Sequence, residues 1–123
     1  RLSLVGSEMC IETGPYVICT VARLFWDEGR YPQARDWFTK TVQAARSWGD
    51  GWAWWYAFEG TQPDGTTQRA HLLDKIELAE PRDGDVWKAL LAKPAHAGQS
   101  ARALLPIAAE EVMHQPTYMS TTN

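Results

Sequence analysis

The chain has 123 residues, of which 45% are hydrophobic and 22% charged, and this is the composition of one ordinary folded unit. A net charge of -3 without a cluster of lysine and arginine disfavours direct nucleic-acid binding, and no apolar run approaches the roughly 20 residues that cross a bilayer. The chain begins with Arg1 and carries no signal-peptide pattern, so we expect it to be a segment of a longer protein.

The cysteine and tryptophan residues further narrow the class of protein. Cys10 and Cys19 lie in apolar surroundings without CxxC spacing, which predicts small buried side chains rather than a disulfide framework or metal ligands. A reducing compartment is therefore favoured. Seven tryptophans in so short a chain bring a large apolar area that must be buried in a core or at an interface.

A period of 35 residues organises the chain. Trp52 and Trp87 lie 35 residues apart, and each follows a Gly-Asp pair that ends two residues before a new apolar run. Asp is a favourable N-cap, so both tryptophans are predicted to open helices. A third helix start is predicted at Val17, 35 residues before Trp52 and just after Pro15. A second helical segment follows each of these starts, so each unit is a helix pair.

Glycine and proline divide these segments. Gly29 and Pro32 break the first pair, residues 60–65 break the second, and Pro81 ends the second helix of that pair. The chain is therefore predicted to be all-α, an α-solenoid of about three antiparallel helix pairs. We expect an irregular lead-in at 1–14, repeats at 15–46, 50–79 and 84–114 that together cover 15–114, and a disordered tail at 115–123. The predicted helices are 15–28, 32–46, 50–60, 65–79, 84–92 and 100–114, the last of which either begins near Pro106 or kinks there.

Helical spacing separates core positions from candidate contact positions. Around the helix that begins near Asp50, one side gathers Trp52, Trp55, Tyr56 and Glu59, which is typical of a core face. Glu59 is predicted to be a buried acceptor satisfied by donors from an adjacent helix. Core stripes are also predicted for the second helices and the last helix: Ala34, Trp37, Phe38, Thr41 and Val42; Ala70, Leu72, Leu73, Ile76 and Ala79; and Ala101, Leu104, Leu105, Ala108 and Val112.

Two aromatic residues point away from that face. Trp54 and Phe58 pack between repeats or contact a partner, and they are the leading candidates for partner binding. Arg23, Asp27 and Arg30 form either the polar rim of a binding groove or an ordinary solvated face.

The sequence contains little that indicates a catalytic or a metal-binding site. The chain has no GxSxG, HExxH, P-loop or dinucleotide-binding motif, so no catalytic residue and no cofactor is predicted. Glu111 and His114 have the spacing found in di-iron bundles, but His71 and His96 lack matching partners, so no metal site is predicted. One alternative remains, a helical domain in which Trp48 and Trp54 stack on a carbohydrate or another small ligand.

Two segments resemble half-a-tetratricopeptide (HAT) repeats, which are relatives of the tetratricopeptide (TPR) repeats. The run from Trp52 to Glu59 is similar to their first-helix signature, and the run from Ala34 to Lys40 is similar to their second-helix signature. The residues that carry the repeat signature are Trp52, Trp55, Glu59, Ala34, Trp37, Phe38 and Trp87.

The order of these motifs between Val17 and Trp87 is similar to the C-terminal repeats of a family of splicing factors of the U4/U6-U5 tri-snRNP. The resemblance implies a non-catalytic scaffold that bridges the U5 and U4/U6 particles in the nucleus. Its implied partners are proteins of the tri-snRNP, with RNA contacted only indirectly and with no membrane and no small-molecule substrate. A HAT-repeat scaffold of another RNA-processing complex is the alternative.

Overall fold

The computed structural model describes residues 14–96 and 98–114, in which every regular element is helical. Each helix begins and ends within two residues of its predicted position, and the predicted all-α fold class is confirmed. Apart from Gly14, the predicted lead-in and tail lie outside the described residues, as does Cys10. The helices are α1 (Gly14–Asp27), α2 (Tyr31–Ala44), α3 (Gly49–Glu59), α4 (Gly65–Ala79), α5 (Asp85–Ala92) and α6 (Ala101–His114), with a 3-10 turn at Pro94–His96.

Left-handed residues end two of the helices. After α1, Gly29 adopts a φ of 80°, and the backbone N–H of Arg30 donates to the carbonyl of Phe25. This geometry favours glycine because a Cβ atom makes positive φ unfavourable. After α4, Glu80 takes the same kind of conformation with a φ of 48°, and Pro81 then prevents the helix from continuing.

The predicted core stripes form one continuous core. Almost every predicted position is buried or half-buried, and Ala70 is the exception because it lies exposed on α4. The buried aromatic and aliphatic side chains of α2, α3, α4, α5 and α6 pack together in this core. None of the described helices is both long enough and apolar enough to span a membrane.

Asp50 was predicted to cap its own helix, α3, but its side chain binds to the start of α5. The helix does start where predicted, but Trp48 is its N-cap residue and the side chain of Asp50 does not cap α3. Its carboxylate instead accepts hydrogen bonds from the backbone N–H groups of Val86 (3.2 Å) and Trp87 (2.9 Å), in the first turn of α5. A Cβ atom at Gly84 would lie 2.5 Å from Asp50 Oδ1, so this close approach requires glycine. The N-cap prediction for Asp50 is therefore corrected.

Helix α6 packs along both α3 and α4. Arg102, in its first turn, forms ion pairs with Asp74 (2.8 Å) and Glu77 (3.3 Å) in the second half of α4. The last turn of α6 lies beside Tyr56 of α3 and Arg69 in the first half of α4. These contacts at opposite ends show that α6 runs antiparallel to α4, and they place it against the second helix pair.

Pro106 lies inside α6, which continues on both sides of it. The helix therefore begins at Ala101 and not near Pro106. Ser100 supports this start, because its carbonyl and its hydroxyl both accept the backbone N–H of Ala103.

Candidate protein-binding surface

Helices α1 and α3 bring two predicted contact residues together. The guanidinium carbon of Arg23 lies 4.0 Å from the ring centroid of Trp54, in a cation-π arrangement, and both side chains are half-buried. Within residues 14–96 and 98–114, no carboxylate forms an ion pair with Arg23. The stacked guanidinium therefore keeps hydrogen-bond donors that the described part of the chain does not use.

A second aromatic contact extends this surface along α1. Tyr16 lies seven residues before Arg23 on the same face of α1, and its ring meets the ring of Trp48 edge to face at a centroid distance of 6.1 Å. We call these four residues, Tyr16, Arg23, Trp48 and Trp54, the α1–α3 surface. A protein side chain thus contacts each of the two tryptophan rings that the small-ligand alternative involves.

The other predicted polar residues lie at the end of α1. Asp27 is exposed on the same helix face as Arg23, one turn farther along. Arg30 is exposed in the following turn, where its guanidinium carbon lies 5.7 Å from the ring centroid of Phe25. Phe25 is about 200° around the helix from Arg23, so Arg30 is not part of the α1–α3 surface.

Phe58 belongs to the core, which corrects its prediction as a partner contact. Its side chain has no exposed area, and its ring packs at 5.4 Å from Trp26, 5.3 Å from Phe38 and 6.3 Å from Tyr31, measured between centroids. These rings come from α1 and α2, which cover the side of α3 that points away from Trp52. A helix that is apolar all round is buried on more than one face. The unbroken apolar run from Trp52 to Phe58 is a signal of that enclosure, which the assignment of a single core face to α3 overlooked.

The predicted burial and satisfaction of Glu59 are confirmed. Its side chain is fully buried, and its two oxygens accept bidentate hydrogen bonds from Arg35 of α2, each 2.7 Å long. The indole N–H of Trp55 donates a third bond of 2.9 Å. The carboxylate raises the pKa of Arg35, chiefly through these hydrogen bonds, so the guanidinium stays charged.

The other signature residues are structural in this fold. Trp52 and Trp87 are buried, and their indole N–H groups donate to the carbonyls of Arg46 (3.0 Å) and Pro81 (2.8 Å). Both acceptors lie in the loops that precede α3 and α5, so each tryptophan anchors the loop that leads into its own helix. Of the remaining signature residues, Ala34 and Phe38 are buried and Trp37 is half-buried.

Cys19 lies buried on α1, four residues before Arg23. Its burial raises the pKa of the thiol to about 12, although the nearby charge of Arg23 acts in the opposite direction. The thiol is therefore neutral near pH 7 and is a poor nucleophile. The predicted role of Cys19 as a small buried side chain is confirmed.

The described residues contain no group of three or more His, Cys, Asp or Glu side chains placed to hold a metal ion. Glu111 and His114 are exposed on α6. The α1–α3 surface presents aromatic rings and a guanidinium that can make charge-assisted hydrogen bonds.

Arg35 is the structurally important residue that the sequence analysis did not single out. A signal was available, because a carboxylate predicted to be buried at Glu59 requires a cationic or N–H donor, and Arg35 lies within the second-helix signature. Repeat spacing alone does not show which side chains meet across two helix pairs.

Comparisons with known proteins identify relatives, although no protein-family model matches the chain. The human protein "Pre-mRNA-processing factor 6" is 39% identical over 79 residues, which are 64% of this chain and 8% of that protein. "Pre-mRNA-splicing factor prp1" of Schizosaccharomyces pombe is 30% identical over 97 residues, 79% of this chain and 11% of that protein. "Protein STABILIZED1" of Arabidopsis thaliana is 33% identical over 91 residues, 74% of this chain and 9% of that protein.

The chain thus spans 8 to 11% of the length of these curated relatives. Two of the three carry pre-mRNA processing or splicing in their names, in agreement with the family that the ordered motifs resemble. The predicted resemblance is confirmed: the chain is related to a short segment of the Pre-mRNA-processing factor 6 family.

Proposed function

We propose that this chain is a non-catalytic, protein-binding part of a pre-mRNA splicing factor and that it works in the nucleus. The names of its relatives support the process, since they describe factors of pre-mRNA processing and splicing. The all-helical packing supports the role, because stacked helix pairs offer long surfaces for other proteins. In this proposal the repeat units are residues 15–46, 50–79 and 84–114.

The finer proposal is that the chain contributes to bridging the U5 and U4/U6 particles within the tri-snRNP. Its partners are then proteins of that assembly, and RNA is reached through them. The net charge of -3 fits protein partners better than direct contact with phosphates. A scaffold in another RNA-processing complex is the competing proposal, and the identity of the captured proteins distinguishes the two.

One observation supports the α1–α3 surface as the contact site. Arg23 is held against Trp54 by stacking, and no carboxylate of the described chain neutralises it. Arginine and tryptophan dominate the energetics of protein interfaces, and a guanidinium fixed in place loses little conformational freedom on binding. A partner carboxylate or backbone carbonyl can therefore bind to a preorganised donor.

The test is capture of proteins from nuclear extract by the tagged chain, followed by quantitative mass spectrometry. Trp54→Ala and Arg23→Ala are compared with Trp37→Ala and Lys40→Ala. The latter pair is a matched control, because Lys40 Nζ lies 4.6 Å from the ring centroid of Trp37 on another part of the fold. Circular dichroism and thermal melting establish that all four variants are folded.

We expect each of the first two variants to capture at least about tenfold less splicing protein than the wild type, which corresponds to about 1.4 kcal/mol of binding energy. The control variants retain capture. Capture of tri-snRNP proteins supports the finer proposal, and capture of a different RNA-processing complex supports its competitor. Equal capture by all variants rules out the α1–α3 surface, and the absence of RNA-processing proteins from the wild-type sample rules out the function.

A further inference from the structure

A groove on a different part of the fold has the features of a second binding site. Helices α2 and α4 form its walls and α3 forms its floor, around a cavity of about 230 Å³. Val42 lies on one wall, Leu78 on the other, and Trp52 and Trp55 lie below. The two indole rings stack on each other at a centroid distance of 6.3 Å. Thr39 and Gln43 also line the cavity, on the side of α2. The floor of the groove is therefore apolar, and the cavity has room for one large side chain.

Leu78 stands out among the apolar residues of this groove. It is 81% exposed, whereas its helix neighbours Leu72 and Ile76 are almost completely buried. A single exposed leucine is ordinary on a protein surface. Here, however, Leu78 lines the cavity next to the two tryptophans. A partner side chain in the groove would therefore also cover Leu78.

The rim of the groove is positively charged. Arg46 and Lys75 line it, both are exposed, and neither forms an ion pair with a carboxylate of the described residues.

The acidic residues of the same two helices are engaged elsewhere. On α2, Asp36 pairs with Lys40, and on α4, Asp74 and Glu77 pair with Arg102 of α6. The groove therefore has two cations and no lining carboxylate, although the chain as a whole is acidic.

From this combination we propose that the α2–α4 groove binds an acidic peptide segment of a partner protein, which inserts one large apolar side chain between Val42, Leu78 and the tryptophan floor. The flanking Asp or Glu residues of that segment pair with Arg46 and Lys75. The proposed site is separate from the α1–α3 surface and stands on its own observations. Charge complementarity makes the binding dependent on salt, because the rim cations are exposed to solvent.

The chemistry of the floor favours a protein over a single-stranded RNA. RNA-binding platforms present open aromatic faces on which bases stack. Trp52 and Trp55 are only 3% and 5% exposed, and their indole N–H groups already donate to the carbonyl of Arg46 and the carboxylate of Glu59. The floor therefore supplies apolar contact and shape but neither a free stacking face nor a free indole donor.

The test is selection of displayed random 12-residue peptides on the complete 123-residue chain, followed by fluorescence polarisation with the selected peptides. Arg46→Glu combined with Lys75→Glu reverses the rim charge, and Leu78→Glu removes the apolar wall. Matched controls are Lys88→Glu combined with Lys93→Glu, which changes the net charge equally at exposed positions, and Leu24→Glu, at an exposed leucine of α1. Circular dichroism compares the folding of all variants.

We expect selected peptides that place a large apolar residue among Asp and Glu. Each groove variant weakens their binding at least about tenfold, as does changing their acids to amides, whereas both controls and Arg23→Ala change it less than about twofold.

Three results would overturn the proposal. Selected peptides could lack acidic residues, they could bind the groove variants with unchanged affinity, or they could lose affinity only with Arg23→Ala, which would place them on the α1–α3 surface. A labelled oligouridine that bound in place of acidic peptides, and that lost affinity in the groove variants, would assign the groove to RNA instead.

Discussion

Arg35 of α2 holds the buried carboxylate of Glu59, at the end of α3, through two hydrogen bonds of 2.7 Å. The two residues belong to different helix pairs, so this contact joins one pair to the next. Arg35 also reaches Asp64 at 3.2 Å, which connects the loop before α4 to the same guanidinium. One guanidinium on α2 thus contacts the end of α3 and the N-cap residue of α4.

Replacing Arg35 by Ala is expected to lower the free energy of unfolding by about 2 to 4 kcal/mol, because the carboxylate of Glu59 remains buried without its cation. Arg35→Lys should destabilise less, since an ammonium keeps the charge but not the bidentate geometry. Urea unfolding followed by circular dichroism measures both effects. Arg102→Ala, which removes two exposed ion pairs, serves as the control and should remain close to wild type. A wild-type stability for Arg35→Ala would contradict this account of the contact.

Phe58 and Trp54 are predicted to behave in opposite ways. Phe58→Ala removes the centre of a buried aromatic cluster and should destabilise the chain by about 3 to 5 kcal/mol. Trp54→Ala should destabilise it by clearly less, because that side chain is half-buried, yet it should reduce partner capture. Denaturant unfolding of both variants checks the difference. A larger stability loss for Trp54→Ala would place that residue in the core.

Asp50 is expected to stabilise the start of α5 through its hydrogen bonds to Val86 and Trp87. Asp50→Ala removes both acceptors and should cost about 2 to 3 kcal/mol, whereas Asp50→Asn keeps one oxygen and should cost about half as much near neutral pH. Urea unfolding of the two variants measures this order. Equal stability of the alanine variant and the wild type would remove Asp50 from this role.

The pH dependence gives a second test of Asp50. Burial raises the pKa of its carboxyl above the ordinary value of 3.8, despite the opposing backbone hydrogen bonds. The folded state therefore binds the proton more tightly than the unfolded state. Its stability falls as the pH rises from 3.8 through the raised pKa of the folded state. The wild type should lose stability relative to Asp50→Asn as the pH is raised from just below 3.8. A difference that stays constant with pH would contradict the shift.

Cys19 is predicted to resist alkylation in the folded protein. Its thiol is buried and has a pKa of about 12, so iodoacetamide at pH 8 should modify it only after unfolding by urea. The thiol has a pKa of about 9.0 in the unfolded chain. The buried neutral thiol therefore adds no penalty to folding below pH 9, whereas the folded state loses stability as the pH rises from 9 to 12. Peptide mass spectrometry locates the label. Rapid labelling of Cys19 in the native chain would contradict its burial.

The helix bounds and the buried helix faces could be predicted because they depend on residues that are close together in the sequence. Gly29 and Pro81 end helices through their backbone conformation, and Pro32 favours a helix start because it lies in the first turn of α2. These effects belong to single residues, so the helix bounds could be predicted closely. The buried stripe of α2 likewise follows from helical spacing. Such features depend only on neighbours along the chain.

The features that could not be predicted depend on distant residues. Asp50 meets a helix start 36 residues away, and an N-cap residue type cannot indicate which helix it serves. Phe58 is enclosed by rings of α1 and α2, and the apolar run of α3 does not indicate which distant residues these are. The antiparallel course of α6 along α4 is seen in contacts between distant residues, such as Arg102 with Asp74, 28 residues apart. Candidate contact residues were therefore predicted less well than helices.

The proposed function requires that splicing proteins bind at the α1–α3 surface. Site-specific photo-crosslinking tests it most directly, with Trp54 replaced by p-benzoylphenylalanine and the chain irradiated in nuclear extract. Trp37, which stacks with Lys40, is replaced in the same way as the control position. We expect that position 54, and not position 37, becomes linked to a spliceosomal protein. Crosslinks at position 54 to RNA alone, or equal crosslinking from both positions, would contradict it.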